Sequence, residues 1–432
     1  MKAIIIKTIC VIFLLFPFII NAQNLTKTEQ NILNLVDKNH EDAIVLLEKT
    51  VNINSGTMNP NGVKKVAELF DESFKNIGFS NRWVDQSEVN RAGHFFAETQ
   101  PKKIKGKKIL MIGHFDTVFE EDSPFQSFVR KDSIAFGPGV NDMKGGNIII
   151  LYALKALKQA GVLENAQIIA SYTGDEESTG NPISISRKDL IEAAKRSNVA
   201  LAFETSTGFN YATVARRSSS SWDLEVSAKR AHSSGIFSKN TGSGAIFEAS
   251  RILNSFYNEL PEQYLTFNPS LILGGSKVEY DEKGNGTAEG KSNIVPEKVI
   301  VHGDLRCISN EQIQQIETKM RAIVANNLPQ TTANISFKHH YPPMKPTDGN
   351  YQLLKVLNQV SLDLNQGEVK AYDPGKRGAG DISFVADYVD GLDGLGATGN
   401  GAHSFNESIN LNQMRLQTQR IALLIYRLIN SK

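Results

Sequence analysis

The sequence predicts an α/β protein: a mixed, mostly parallel sheet flanked by helices, interrupted by a smaller inserted domain of β-α-β-β-α-β order. Three observations predict it. Short, wholly apolar runs alternate with helical patterns up to residue 213; strict apolar/polar alternation follows; and the first pattern resumes after Pro342.

The first pattern opens with a helical stretch over 26–51, started by a capping box in which Thr26 is followed by Glu29. ILMIG (109–113) has the continuous apolarity of a strand buried on both faces. The glycine-rich GPGVNDMKGG (137–146) leads into a helical stretch over 147–160, and 167–172 and 199–203 read as further buried strands. In the second pattern, WDLEVSA within 219–228 suits a sheet wetted on one face. A helix (242–258), strands at 270–280 and 294–306, a helix (310–327) and a strand (333–339) complete the ferredoxin-like order. Helices near 349–362 and from Leu411 then return to the first pattern. The predicted division is 1–22 signal peptide, 23–213 and 341–432 the large domain, and 214–340 the insert.

Lys2 and Lys7 precede an uncharged apolar run over 9–20, and Ala22 offers a small residue for cleavage before polar Gln23 and Asn24. The run is too short to span a bilayer, so an exported protein is expected; an uncleaved anchor is the rival. Cys10 lies inside this run, leaving Cys307 as the one cysteine of the mature chain and no internal disulfide. The rest is ordinary globular composition: 432 residues, 41% hydrophobic, 22% charged and a formal charge of +1, which gives no reason to expect a nucleic-acid partner or stable membrane insertion after signal cleavage.

Candidate chemistry sits at the ends of the large domain's strands, where open α/β sheets place ligands. In GHFDTVF, His114 and Asp116 lie two apart and share a side of an extended chain, so the carboxylate can orient a metal-binding imidazole. Asp142 is the carboxylate of GPGVNDMKGG, a loop whose glycines permit close backbone approach. GDEES sets Asp175, Glu176 and Glu177 after an apolar strand, where they repel one another unless cations or protons neutralise them. Glu204 in AFETS repeats the theme, and His403 lies in GNGAHSFNE. Taken singly, each has a bland explanation: a strand-end histidine, a helix-capping aspartate, a solvated acidic turn. Together they form a donor set suited to zinc.

HFDTVF, GPGVNDMKGG, GDEES, AFETS and GAHSFNE, in this order, resemble the co-catalytic zinc peptidases and deacylases, the family of carboxypeptidase G, acetylornithine deacetylase and succinyl-diaminopimelate desuccinylase. The wording around Asp142 is closest to the carboxypeptidase G branch. The resemblance implies a zinc-exopeptidase-like fold with a lid or dimerisation insert, and two Zn2+ per chain, with Co2+ or Mn2+ as substitutes. It implies that Asp142 bridges them, that Glu177 and His403 complete one site and that His114 and Glu204 complete the other. Asp116 becomes the partner of His114, Glu176 the general base, and the Asp142–Met143 peptide cis. His232 in KRAHSSG matches the oxyanion donor, which dimeric members take from the partner subunit; a homodimer through the insert is therefore a possible partner relation. Arg306 in GDLR, Asn293 in SNIVP and Arg377 in RGAGD match substrate-binding positions.

The implied activity is cleavage of an amide bond next to a carboxylate-bearing amino acid, carboxypeptidase fashion, on a peptide or N-acyl amino acid. N-acyl-amino-acid deacylase, dipeptidase or aminopeptidase activity is the alternative, and a silent binding protein the remote one. One departure bears on specificity: where the glutamate-cleaving branch carries an arginine at the return from the lid, HHYPPM places Tyr341. That leaves the substrate side chain open.

Overall fold

A computed structural model describes residues 25–281 and 284–431. The signal-peptide reading over 1–22 and Cys10 lie outside the described residues. Among those residues no helix is long and apolar enough to cross a membrane.

The capping box forms: Thr26 accepts from the Glu29 N–H while the Glu29 carboxylate accepts from the Thr26 N–H. The expected long first helix is in fact two, Lys27–Lys38 and His40–Val51, which meet at Asn39. The Asn39 side chain donates to Gln159 on another helix, and this tertiary bond marks the break that apolar periodicity did not reveal.

The main sheet runs, edge to edge, Ser80–Asp85, Gly93–Glu98, Ile168–Thr173, Ile109–His114, Val199–Ala202 and Asp390–Leu392. The last four strands are mutually parallel, and the first two add an antiparallel edge. Ile109–His114 is central and buried along its whole length, which explains its unbroken apolarity. The larger core lies on one face, where Lys27–Lys38, Gly145–Gln159 and Leu411–Asn430 pack. On the other face Leu190, Ala193, Ile382 and Val385 cover Leu110, Ile112 and Ile169.

The second sheet is wholly antiparallel, in the order Thr266–Gly275, Lys298–Arg306, Ser219–Ala228 and Thr331–Tyr341. Helices Ala245–Glu259 and Asn310–Ala325 enclose its own core of Trp222, Leu224, Val226, Ile252, Phe256, Val301 and Met320. Gly303 pairs with Trp222, and a Cβ there would meet the indole at 2.2 Å, so this strand position needs glycine. The two chain segments joining the sheets bond to each other, since the backbones of Arg216 and Met344 exchange N–H···O bonds of 2.9 Å in both directions.

Candidate metal centre

The site forms where three of the parallel strands end. His114 closes the central strand, and the next residue, Phe115, points the other way into the core. There its ring stacks on Tyr172 at 4.7 Å. The period of two then returns Asp116 to the side of His114. Glu204 lies just beyond Val199–Ala202, and Glu177 follows Ile168–Thr173 through a turn. Asp142 has non-helical backbone angles immediately before helix Gly145–Gln159, and the Asp142–Met143 peptide is cis. His403 arrives from the far end of the chain on a glycine-rich loop and is exposed.

Asp142 faces two separate donor pairs. Its Oδ1 lies 3.4 Å from His114 Nε2, which is 3.7 Å from Glu204 Oε1. Its Oδ2 lies 3.3 Å from His403 Nε2, which is 3.2 Å from Glu177 Oε2. Both triads are compact enough to hold an ion. His114 Nε2 is buried and has no hydrogen-bond partner, which leaves it free to ligate. The donor set therefore fits two ions sharing one carboxylate.

The electrostatics of the bare protein say the same. Burial, then the neighbouring Glu204, pushes the Glu176 carboxyl well above its ordinary range. Burial, then Asp142, raises Glu204 to about 7. Burial would raise Asp142 too, but the His114 and His403 imidazoles beside it outweigh burial and hold the carboxylate low. Hydrogen bonds to Asp142 and Glu177 push His403 up to about 11. Carboxylates gathered this closely call for cationic charge, which protonated imidazoles provide here and divalent ions would provide better.

Asp116 has a wider role than orienting one histidine. Its Oδ1 is 3.3 Å from His114 Nδ1, while its own carbonyl oxygen is nearer, at 3.0 Å. The carboxylate also accepts the N–H groups of Glu176 and Glu177, each at 3.0 Å, and the Thr57 hydroxyl at 2.7 Å. One buried carboxylate thus ties the His114 strand to the acidic turn.

The acidic turn divides its charges between two places. Asp175 does not add its charge to the metal pocket. It turns inward, fully buried, and pairs with buried Arg187, whose Nε donates to Asp381 at 2.8 Å. Sequence reasoning missed Arg187 because an isolated arginine in ISISRKD carries no signal of burial. It missed Glu407 too, although GAHSFNE contains it: its carboxylate accepts from the N–H groups of Gly139, Asn141 and Asp142 at 2.8–2.9 Å.

The remaining site residues are less centred. Arg377 donates from Nη2 to the Thr205 carbonyl at 2.8 Å, next to Glu204, and its buried Nε has no protein partner. The Arg306 Nε donates to Asp304, and one guanidinium nitrogen lies 3.5 Å from where a Cβ on Gly378 would stand. His232 and Asn293 are exposed and adjoin each other on the insert, the Ser233 N–H donating to the Asn293 carbonyl. The His232 ring bonds Ser234, and no described ion pair or hydrogen bond joins it to the Asp142 group.

The sequence pattern of Peptidase family M20/M25/M40 matches residues 110–427, most of the chain. The chain belongs to this family. Carboxypeptidase G2 of Pseudomonas sp. (strain RS-16) is 27% identical over 395 residues, covering 88% of each chain. Aminopeptidase PepT of Bacillus cereus ATCC 10987 superposes with a TM-score of 0.73 at 17% identity, over 90% of this chain and 99% of that one. A dinuclear metal-binding M20 peptidase of Bacillus subtilis gives 0.64 at 14% identity, over 92% and 100%. As an M20 protein the chain is a hydrolase of amide bonds, with the α/β fold read from its sequence.

Proposed function

We propose that the protein is an exported, carboxypeptidase-type two-zinc hydrolase that releases a carboxylate-bearing amino acid from a peptide or N-acyl amino acid. The observation that carries this reading is the double facing of Asp142, one oxygen toward the His114–Glu204 pair and the other toward the His403–Glu177 pair. The activity named for the Pseudomonas relative supports the carboxypeptidase assignment.

His114, Asp142 and Glu204 would hold one zinc ion, and Asp142, Glu177 and His403 the other. When bound, the pair supplies Lewis acidity and acidifies water at the scissile carbonyl. Glu176, held beside the ligands, takes the proton from the attacking water and returns it to the leaving nitrogen. Asp116 fixes the His114 ring and, through its two backbone bonds, the setting of Glu176. Arg377, with an unused buried donor beside Glu204, and Arg306 at the adjoining loop would receive the substrate carboxylate.

His232 would supply the oxyanion donor from a second subunit, with Asn293 beside it. Exposed apolar side chains on the insert support a dimer formed through it. Ile246, Phe247 and Tyr257 of helix Ala245–Glu259 are exposed, as is Phe237 against Phe247, beside Thr266–Gly275, the edge strand of its sheet among the described residues.

Residues 23–432, purified with zinc, are to be offered N-acyl amino acids, peptides blocked at the amino end and peptides blocked at the carboxyl end. The reading expects cleavage of the first two and none of the third. Cleavage restricted to substrates with a free amino end would replace it with an aminopeptidase or dipeptidase.

A further inference from the structure

Tyr341 stands at the last residue of strand Thr331–Tyr341, where the chain leaves the insert for the large domain. Its pairing with Ser219–Ala228 slips between His339 and Tyr341, so the two residues Ser220 and Ser219 face His339 and Tyr341 with His340 as an extra residue. Such a bulge re-aims the side chain that follows it. The phenol is thereby delivered to the acidic turn of the large domain. Its hydroxyl donates to the Glu176 carbonyl at 2.8 Å and lies 2.5 Å from the Thr179 hydroxyl.

The surroundings of the ring are fixed. Its face packs on Phe384 at 4.8 Å, in the short turn Asp381–Phe384. Asp381 in turn accepts from the Thr173 hydroxyl at 2.6 Å and from Arg187 at 2.8 Å, so the turn is pinned to the end of the strand that leads to Glu176. Burial keeps the phenol above its ordinary range and therefore protonated, a donor at every working pH. The other crossing segment is tied down differently: the Arg216 guanidinium donates to the carbonyls of Gly378 and Ala379, in the loop before Asp381.

We propose that Tyr341 is a positioning residue that ties the seating of the insert to the placement of Glu176. This rests on the reading of Glu176 as the base. The insert and the large domain have separate cores, so their relative orientation is set by the two crossing segments and what those segments touch. A hydroxyl fixed to the backbone of Glu176 converts a rotation of the insert into a displacement of that backbone. The base then reaches its working position only when the insert is seated. A tyrosine with both its donor and its acceptor capacity committed within the protein is not a reader of substrate charge.

Tyr341→Phe keeps the ring on Phe384 and removes only the hydroxyl. In the zinc-loaded enzyme the variant is expected to lose about 10-fold or more in kcat on an N-acyl amino acid, the scale on which small misplacements act. KM, bound zinc and Tm should stay near the parent values. Thr179→Val should give a smaller loss, and the double variant should be no worse than Tyr341→Phe alone. Amide hydrogen exchange over 174–180 should accelerate in Tyr341→Phe while the strand Ile168–Thr173 stays protected, a readout that needs no turnover. An unchanged kcat with unchanged exchange would overturn the proposal. So would a rise confined to KM, which would make Tyr341 a substrate contact, or a kcat loss that merely follows lost zinc or lost fold. Failure of the base assignment itself is read separately, from turnover that survives Glu176→Ala.

Discussion

Glu407 holds the backbone that presents Asp142: the buried carboxylate accepts the N–H groups of Gly139, Asn141 and Asp142 from across more than half the chain. Burial raises the Glu407 carboxyl to about 7, and the three N–H groups that converge on its two oxygens favour the charged form. Glu407→Gln replaces one carboxylate oxygen with an amide donor aimed at those donors. Zinc affinity is expected to fall about 10- to 100-fold, as for other groups that orient metal ligands. Competition with a chelator measures it; unchanged affinity would show that the loop holds its shape without the charge.

Arg187 is wholly buried between Asp175 and Asp381. Arg187→Met leaves two carboxylates without their partner, and breaking a buried pair from one side costs about 3–5 kcal/mol. Urea unfolding of the zinc-loaded protein should show a loss of that size. A loss under about 1 kcal/mol would mean that the pair is as weak as an exposed one.

Metal binding should depend on pH in a definite direction. Without metal, Glu204 titrates at about 7 and His403 at about 11, so both hold protons in mildly acidic solution. An incoming ion must displace them, and affinity therefore rises with pH. Below about pH 7 each of the two displaced protons contributes about a 10-fold gain per pH unit, whereas above it Glu204 is ionised and only His403 contributes. Calorimetry in buffers of different ionisation heat counts the protons released. A pH-independent dissociation constant would contradict these protonation states.

Arg377→Lys retains the charge and loses the planar fork beside Glu204. KM for an N-acyl amino acid should rise about 10-fold, with kcat changed less, because the lost contact binds substrate and transition state alike. Equal KM values would remove Arg377 from the substrate site.

The fold was legible because its central strands are apolar throughout and the strands of the insert alternate. Ile109–His114 and Ser219–Ala228 show the two patterns at their clearest. His114, Asp142, Glu177, Glu204 and His403 were legible because each carries a metal-binding group inside a glycine-rich or strand-end motif, and the structure brings all of them together. Arg187, Thr57 and the bonding of Tyr341 were not, because their importance comes from partners distant in sequence. The same holds for Asn39: the bond to Gln159 that marks the break in the first helical stretch leaves no local trace. Asp175 was visible as a charge in need of neutralisation, but its partner could not be named without the fold.

Glu176 is proposed to move protons at a centre that Glu177 and its partners hold. Glu176→Ala, purified beside the parent and assayed for both metal and turnover, tests it most directly. Near two zinc ions per chain should be bound in both proteins, with turnover of an N-acyl amino acid lowered by about 10²- to 10⁴-fold in the variant. Parental turnover in the variant, or well under one zinc ion per chain in the parent, would contradict it.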